Sequence, residues 1–497
     1  MCSIMSQPVI IQGGMGVAVS SWPLARAVSR LGQLGVVAGT ALAVVLARRL
    51  QLGDPSGEIR YALTRFPFPD MATRVLADYF IPGGKPLTAP FKLAPMPTLR
   101  PRAALVELTV IANFVEVFLA KQGHEGLVGI NFLEKIQLPT LPSLYGAMLA
   151  GADYILMGAG IPRAIPGVLD LFATGRPASL LIDVEGAPSG ETHCTTFDPQ
   201  NFCAGTVPQL KRPLFLGIVA SATLAMALAK KASGRVDGFI VEGPTAGGHN
   251  APPRGPLHLT PAGEPLYGPR DVPELDKIAA LGLPFWLAGG YGRPGGLAEA
   301  QQLGATGLQV GTPFAFCEES GMAPDIKRQA LELSRRAQGR VFTDPVASPT
   351  GFPFKVGEIQ GTLSDPALYQ QRRRICDLGY LRHLYRRADG TIGYRCPSEP
   401  LDQYLRKGGT AAQTVGRKCI CNGLPANVGL GQVRAGGGSE LPLVTAGDDL
   451  ARLAQFLAPG YDSYSAADVL RYLLSPAETL PSKPDSLTPL PGCETVG

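Results

Sequence analysis

At 497 residues the chain exceeds what one simple domain needs, and it reads as one large domain with an appendage. A 45% hydrophobic and 17% charged composition supports a substantial buried core and argues against disorder. Nine dispersed cysteines argue for reduced thiols or a metal site over a disulfide framework, and a net charge of +5 is too small to mark a polyanion-binding chain.

The opening MCSIMSQPVIIQGG lacks a basic stretch followed by an apolar core, and the longest apolar run, Leu34 to Ala47, falls short of a membrane span. The expectation is a soluble, cytoplasmic chain, with neither membrane nor nucleic acid as a partner. Short apolar runs then recur, each closed by Gly or a turn residue and followed by an Ala/Leu-rich stretch. They are Val9 to Gln12, Gly35 to Gly39, Leu127 to Phe132, Tyr154 to Gly158, Leu180 to Val184, Leu214 to Val219, Gly238 to Val241, Phe285 to Ala288 and Leu308 to Val310. Runs apolar along most of their length suit parallel strands covered on both faces. There is one run more than a (β/α)8 TIM barrel needs. Leu180 to Val184 is assigned to an excursion, because residues 186–205 are rich in turn formers.

Two stretches break the rhythm. An insertion after the second strand, about residues 43–125, holds a Pro-rich segment and a predicted helix from Ala103 to Lys121, and its position suits a lid over the barrel mouth. Beyond Gln338 the alternation stops. The chain therefore divides into a barrel over 1–337, a basic, Cys-containing extension over 338–480 and a flexible Pro-rich tail over 481–497. Between Arg372 and Lys418 nine Arg and two Lys stand against four acids, which reads as a solvated surface or as a docking face for an acidic partner.

Four glycine clusters follow predicted strands: QGGMG (12–16), TAGGH (245–249), AGGYG (288–292) and VGTPF (310–314). Residues just past the strand ends of a barrel line its site, and the last two βα loops commonly cradle a phosphate with main-chain N–H groups. Gly289, Gly290, Gly311 and Thr312 fall there.

The order and spacing of IIQGGMG, VEGPTAGGH, AGGYG and GLQVGTPFAF resemble the nitronate monooxygenase family, once called 2-nitropropane dioxygenases, whose relatives include flavin-dependent enoyl-ACP reductases. The resemblance covers about residues 8–320 and implies a barrel that binds FMN without a covalent link. It places Gly13, Gly14 and Met15 along the flavin, Asn131 of GINFL on its ring or ribityl chain, Gly247 and Gly248 under the ring, and Gly289, Gly290, Gly311 and Thr312 on the phosphate. His249 would sit over the flavin as the proton-handling residue, its loop stiffened by Pro252 and Pro253. Where many relatives carry Glu before AGGH, this chain has Thr245.

The implied reaction is oxidation of an alkyl nitronate by O2 to a carbonyl compound and nitrite. The alternative is an enoyl-thioester reductase that uses NAD(P)H and receives its acyl group from an acidic acyl-carrier protein. A flavin-free barrel binding a phosphosugar or nucleotide is a third reading. His124, His193 and His383 lack comparable framing, while His258 follows His249 closely enough to reach the same mouth. Cys376, Cys396, Cys419 and Cys421 are candidates for zinc or an iron–sulfur cluster, although their spacing matches the usual zinc knuckles poorly. Cys194, Cys203 and Cys317 read as packing residues.

Overall fold

The computed structural model describes residues 7–434 and 438–475; the tail assigned to 481–497 lies outside the described residues. Eight parallel strands form one sheet: β1 (Ile10–Gln12), β2 (Gly35–Ala38), β3 (Val128–Leu133), β4 (Tyr154–Gly158), β5 (Leu214–Val219), β6 (Gly238–Glu242), β7 (Phe285–Ala288) and β8 (Gly307–Val310). Their order is β1-β8-β7-β6-β5-β4-β3-β2, and a parallel bridge between Ile11 and Leu34 returns the last strand to the first. The Gln12 N–H donates to the Leu34 carbonyl at 2.9 Å, and the Gln12 side-chain oxygen accepts from the Val36 N–H at 3.0 Å. The sheet is thus closed into a (β/α)8 barrel.

Alternate residues of these strands divide between two apolar cores. Val36, Leu156, Leu216, Ile240 and Trp286 point inward and fill the barrel, while Val37, Ile155, Phe215, Phe239 and Leu287 point outward against the helices. Both faces are therefore dry, which is why the strands read as continuous apolar runs. Trp286 is the largest inward side chain, and its indole N–H donates to the Pro8 carbonyl at 2.8 Å. The run near Leu180 is a separate antiparallel ribbon, Ala178–Ile182 with His193–Phe197, as the excursion reading required.

The insertion contributes helices Leu42–Gln51, Glu58–Thr64, Pro69–Tyr79 and Ala103–Ala120. The last is long and apolar enough to cross a membrane by composition, yet 72% of it is buried inside the protein. It lies against Leu42–Gln51 and Thr140–Leu149, and its buried Glu116 accepts from the Trp22 N–H at 3.0 Å while pairing with Arg49. This insertion clads the barrel flank. None of residues 43–125 lines the cavities at the strand ends, so it does not supply the lid expected of it.

The extension closes over the mouth instead. Its hairpin Val341–Asp344/Phe354–Gly357 zips onto the chain beyond β6: Lys355 N–H donates to the Gly248 carbonyl at 2.9 Å, and Asn250 N–H to the Pro353 carbonyl at 3.0 Å. A strap over residues 443–448 crosses the same loop, where a Cβ on Gly247 would stand 2.8 Å from the Gly447 nitrogen. Phe354, Val356, Leu443 and Leu450 join the same apolar core as the barrel helices. A second hairpin, His383–Arg386/Ile392–Arg395, adds to the short strand Val184–Glu185.

The basic segment is partly engaged by the rest of the fold. Arg372 pairs with buried Glu440, Lys407 with buried Glu399 and Arg395 with Glu185, while Arg374, Arg382 and Arg417 donate to backbone carbonyls. Glu440, Glu191 and Glu185, brought from outside the segment, offset part of the local positive excess.

Candidate active site

Two cavities open at the C-terminal ends of the strands, one of about 1030 Å³ and one of about 740 Å³ including their open mouths. Gly14, Gly16, Glu242, Gly247, Gly248, Gln309 and Thr445 line both, so they form one continuous site. Gly13, Met15, Gly289, Gly311 and Thr312 line the smaller part, and Asn131 and His249 the larger. Of the glycines singled out in the sequence, Gly290 alone lines neither. His258 also lines neither; its residue is exposed, and its carbonyl accepts from the Leu266 N–H in a loop.

Close backbone approach explains the glycines. A Cβ on Gly14 would lie 2.4 Å from the Asn131 Cβ, so β1 and β3 can meet here only with glycine at that position. Gly289 has φ +87°, and a Cβ there would lie 2.8 Å from Thr245 Oγ1 and 3.0 Å from the Ala246 nitrogen. A side chain would strain the turn and narrow the smaller cavity together. Thr312 is already engaged: its hydroxyl accepts from the Gly447 N–H at 2.8 Å, tying the strap to the start of the helix after β8.

His249 is held from several sides. Gly248, at φ +84°, turns the chain at the strand end, and its N–H donates to Thr445 Oγ1 at 3.0 Å. The following backbone is fixed by its bridge to Phe354, whose ring meets the imidazole edge-on at 4.8 Å. That bridge, rather than the prolines further on, sets the direction of the ring. Nε2 lies 2.7 Å from the hydroxyl of fully buried Ser348, which is itself 2.8 Å from Thr350 Oγ1. Removal from water lowers the imidazole to about 4, so it is neutral and able to accept a proton at pH 7.

Glu242, the last residue of β6, faces the same site, and removal from water raises its carboxyl to about 7. By surface area both groups are only partly buried, because the cavity admits water to them; their depth in the protein governs the shift. An acid and a base with displaced, opposed titrations in one cleft are the pattern of proton-transfer sites. Glu242 was missed in the sequence. Its signal was a carboxylate at the end of the otherwise apolar GFIVE, where a barrel strand delivers its side chain to the site.

Ser348, Phe354, Tyr380 and Cys421 come from the extension and could not be placed from spacing; the last three line the larger cavity. Gln309 Oε1 lines both cavities and is buried with no hydrogen-bond partner. A cradle of glycines that a Cβ would fill, beside an orphaned acceptor, fits a flat ligand carrying an anion at one end and an N–H at the other.

The four candidate cysteines, Cys376, Cys396, Cys419 and Cys421, line a third, smaller cavity, yet among the described residues no three His, Cys, Asp or Glu side chains are arranged to hold a single metal ion. Cys203 and Cys317 are buried packing residues as expected, while Cys194 is exposed.

Residues 198–348 match the family model for nitronate monooxygenase. Two curated proteins are similar over a comparable stretch. A carboxyl-CoA dehydrogenase of Mycobacterium tuberculosis, named for a 5-hydroxy-7a-methyl-1-oxo-octahydroindene-4-carboxyl-CoA, is 31% identical over 28% of this chain and 34% of its own. A probable nitronate monooxygenase of Staphylococcus haemolyticus is 33% identical over 28% of this chain and 37% of its own. The chain thus spans about a third of the length of these relatives. Among solved structures, FabK from Thermotoga maritima is similar with TM-score 0.47 and 15% identity, covering 95% of this chain and 93% of that one. Nitroalkane oxidase from Streptomyces ansochromogenes gives 0.43 and 15%, covering 94% and 95%.

Proposed function

We propose that this chain, which carries the nitronate monooxygenase signature over residues 198–348, is a flavin-dependent oxidoreductase that converts alkyl nitronates with O2 to carbonyl compounds and nitrite. One observation carries the reading: a neutral imidazole, His249, is aimed by Ser348 into a cleft whose wall is bare main chain from successive strand ends. Gly13, Gly14 and Met15 would lie along the flavin, Gly247 and Gly248 beneath it, and Asn131 on its polar edge. Gly289 and Gly311 would take the phosphate with their main chain, Thr312 would add its hydroxyl, and Gly290 acts only by allowing the turn. FMN, when bound, supplies the electron acceptor and the reaction with O2.

The chain's own residues handle the substrate and its proton. His249 takes the α-proton when the neutral nitroalkane enters, or donates a hydrogen bond to a nitronate oxygen when the carbanion is supplied ready-made. Ser348 fixes which nitrogen faces the substrate. Glu242, half-protonated near neutrality, offers a donor or an acceptor in the same cleft. The extension and its strap narrow the mouth and keep bulk water from the reacting carbon.

A second reading has one specific support, the similarity to a carboxyl-CoA dehydrogenase together with the apolar wall of Phe132, Ile136, Leu381 and Leu424. It is an enoyl-thioester reductase drawing hydride from NAD(P)H, with His249 protonating the product carbon. An acidic carrier protein would meet the basic residues of 372–418 that have no acidic partner among the described residues.

The test is anaerobic stopped-flow of the yellow protein against propyl nitronate, crotonyl thioester and NADPH in parallel, with nitrite measured after O2 is admitted. Bleaching by nitronate and release of nitrite support the first reading; bleaching by NADPH without nitrite supports the second. A colourless protein that takes up no FMN removes both and leaves the flavin-free barrel. His249→Ala should keep FMN and lose most turnover, and wild-type kinetics in that variant would remove the assignment of the imidazole.

A further inference from the structure

Four cysteines from separate places in the extension converge on one small cavity of about 290 Å³: Cys376, Cys396, Cys419 and Cys421. Cys396 and Cys419 are buried, and none of the four is disulfide-bonded. Ordinary packing thiols look different in this protein. Cys203 sits against the Tyr145 hydroxyl at 3.2 Å and Cys317 donates to the Phe314 carbonyl at 3.2 Å.

Two further groups at the four-thiol cavity each keep one atom without a partner among the described residues, although Glu399 also pairs with Lys407. Glu399 and Asn422 are each 1% exposed, both line it, and Glu399 Oε1 and Asn422 Oδ1 have no hydrogen-bond partner. The Asn422 orientation is set, because its NH2 donates to Asp377 Oδ1 at 2.7 Å, which turns the oxygen away from that carboxylate.

We propose that these four thiols are the ligands of an iron–sulfur cluster. The geometry separates this from a single zinc ion. Tetrahedral zinc with Zn–S bonds of about 2.3 Å draws its sulfurs to within about 4 Å of one another. Among the described residues no such convergent set exists, yet all four cysteines share one cavity wall. A cluster places several irons and sulfides between its thiolates and holds them further apart, each on its own iron. Each thiol loses its proton to solvent as its Fe–S bond forms, and the Arg382 guanidinium on the same wall offsets the resulting negative charge. Cys421, Leu381 and Ile420 also line the larger cavity, so the cluster stands one side-chain layer from the candidate active site. The proposal does not rest on the flavin reading, and either can fail alone.

The test is iron and acid-labile sulfide analysis of the full-length chain purified without oxygen, followed by anaerobic reconstitution with ferrous iron and sulfide and by low-temperature EPR after dithionite. The expected result is two or four irons per chain with matching sulfide, and a paramagnetic signal distinct from any flavin radical. Cys396→Ser and Cys419→Ser should lose the iron, while Cys194→Ser and Cys317→Ser keep it. One equivalent of zinc without iron overturns the proposal. So do four alkylatable thiols that take up no iron or sulfide on reconstitution. If the serine variants fail to fold, the wild-type stoichiometry decides alone.

Discussion

Glu242 and His249 face one cleft with opposed titrations, and their effects on stability should nearly cancel. The carboxyl moves from its ordinary 4.5 up to about 7, and the imidazole from 6.5 down to about 4. At about 1.4 kcal/mol per unit, each shift corresponds to on the order of 3 kcal/mol. The carboxyl holds its proton more tightly in the folded chain, so its contribution is complete below pH 4.5 and is lost as pH rises through 7. The imidazole holds its proton less tightly when folded, so its contribution is complete above pH 6.5 and is lost as pH falls through 4. Over the shared window the two slopes oppose. Glu242→Gln should unmask the histidine and give a protein that gains stability with rising pH; His249→Gln should unmask the carboxyl and give one that loses it. The assay is urea unfolding of the flavin-free full-length chain between about pH 4 and pH 8, followed by tryptophan fluorescence, with each variant subtracted from wild type so that all other titrations drop out. Difference curves that are flat, or that tilt the same way, refute the assignment of desolvation as the cause.

Three further expectations follow from local geometry. Ser348→Ala removes the one side-chain hydrogen bond that the His249 ring makes among the described residues and should lower kcat by about 10-fold or more while leaving FMN affinity unchanged, as steady-state kinetics and a flavin titration will show. Gly289→Ala forces a side chain into φ +87° against Thr245 and Ala246, at about 1–3 kcal/mol of strain, and should weaken FMN binding by at least about 10-fold. Gly282→Ala, also at positive φ but facing open space, should leave FMN binding as it was. Glu440→Gln strips the charge that pairs with Arg372 and Arg434 in the interior of the extension, and should cost about 3–5 kcal/mol in a denaturant midpoint experiment.

The barrel was legible because its strands are dry on both faces. Val36 and Val37, or Leu216 beside Phe215, are apolar whichever way they point, so the runs stand out without any alternation to decode. The excursion near Leu180 was legible for the opposite reason. Leu180 and Ile182 are buried while Leu181 is exposed, a one-sided ribbon set among turn formers. The glycine clusters marked the strand ends that line the site. The apolar helix Ala103–Ala120 was foreseen as a helix, but nothing in its own residues told whether it would clad the flank or cap the mouth.

What sequence order could not reveal was which distant segment completes the site. His249 looked self-sufficient, framed by its own glycines and prolines, yet its ring is set by Ser348 and Phe354 about a hundred residues away. The reason is geometric. Gly247 and Gly248 free the loop after β6, and a free loop cannot by itself aim a side chain; it must be pinned by something else. The hairpin around Phe354 pins it by main-chain bonds, which leave no residue-type signature, and the strap adds the Thr445 hydroxyl on the Gly248 N–H and the Asp448 N–H on the Thr245 carbonyl. The basic segment misled for a related reason: local charge counting sees the arginines of 372–417 but not Glu185, Glu191 and Glu440, which the fold brings to them from outside that stretch. The extension is therefore part of the cavity that holds His249, and deleting it should expose His249 to water and return its titration toward the ordinary range. NMR titration of His249 in a chain ending at residue 337, provided the barrel remains folded by circular dichroism, will decide this; an imidazole still lowered to about 4 without the extension would show that the barrel alone desolvates it.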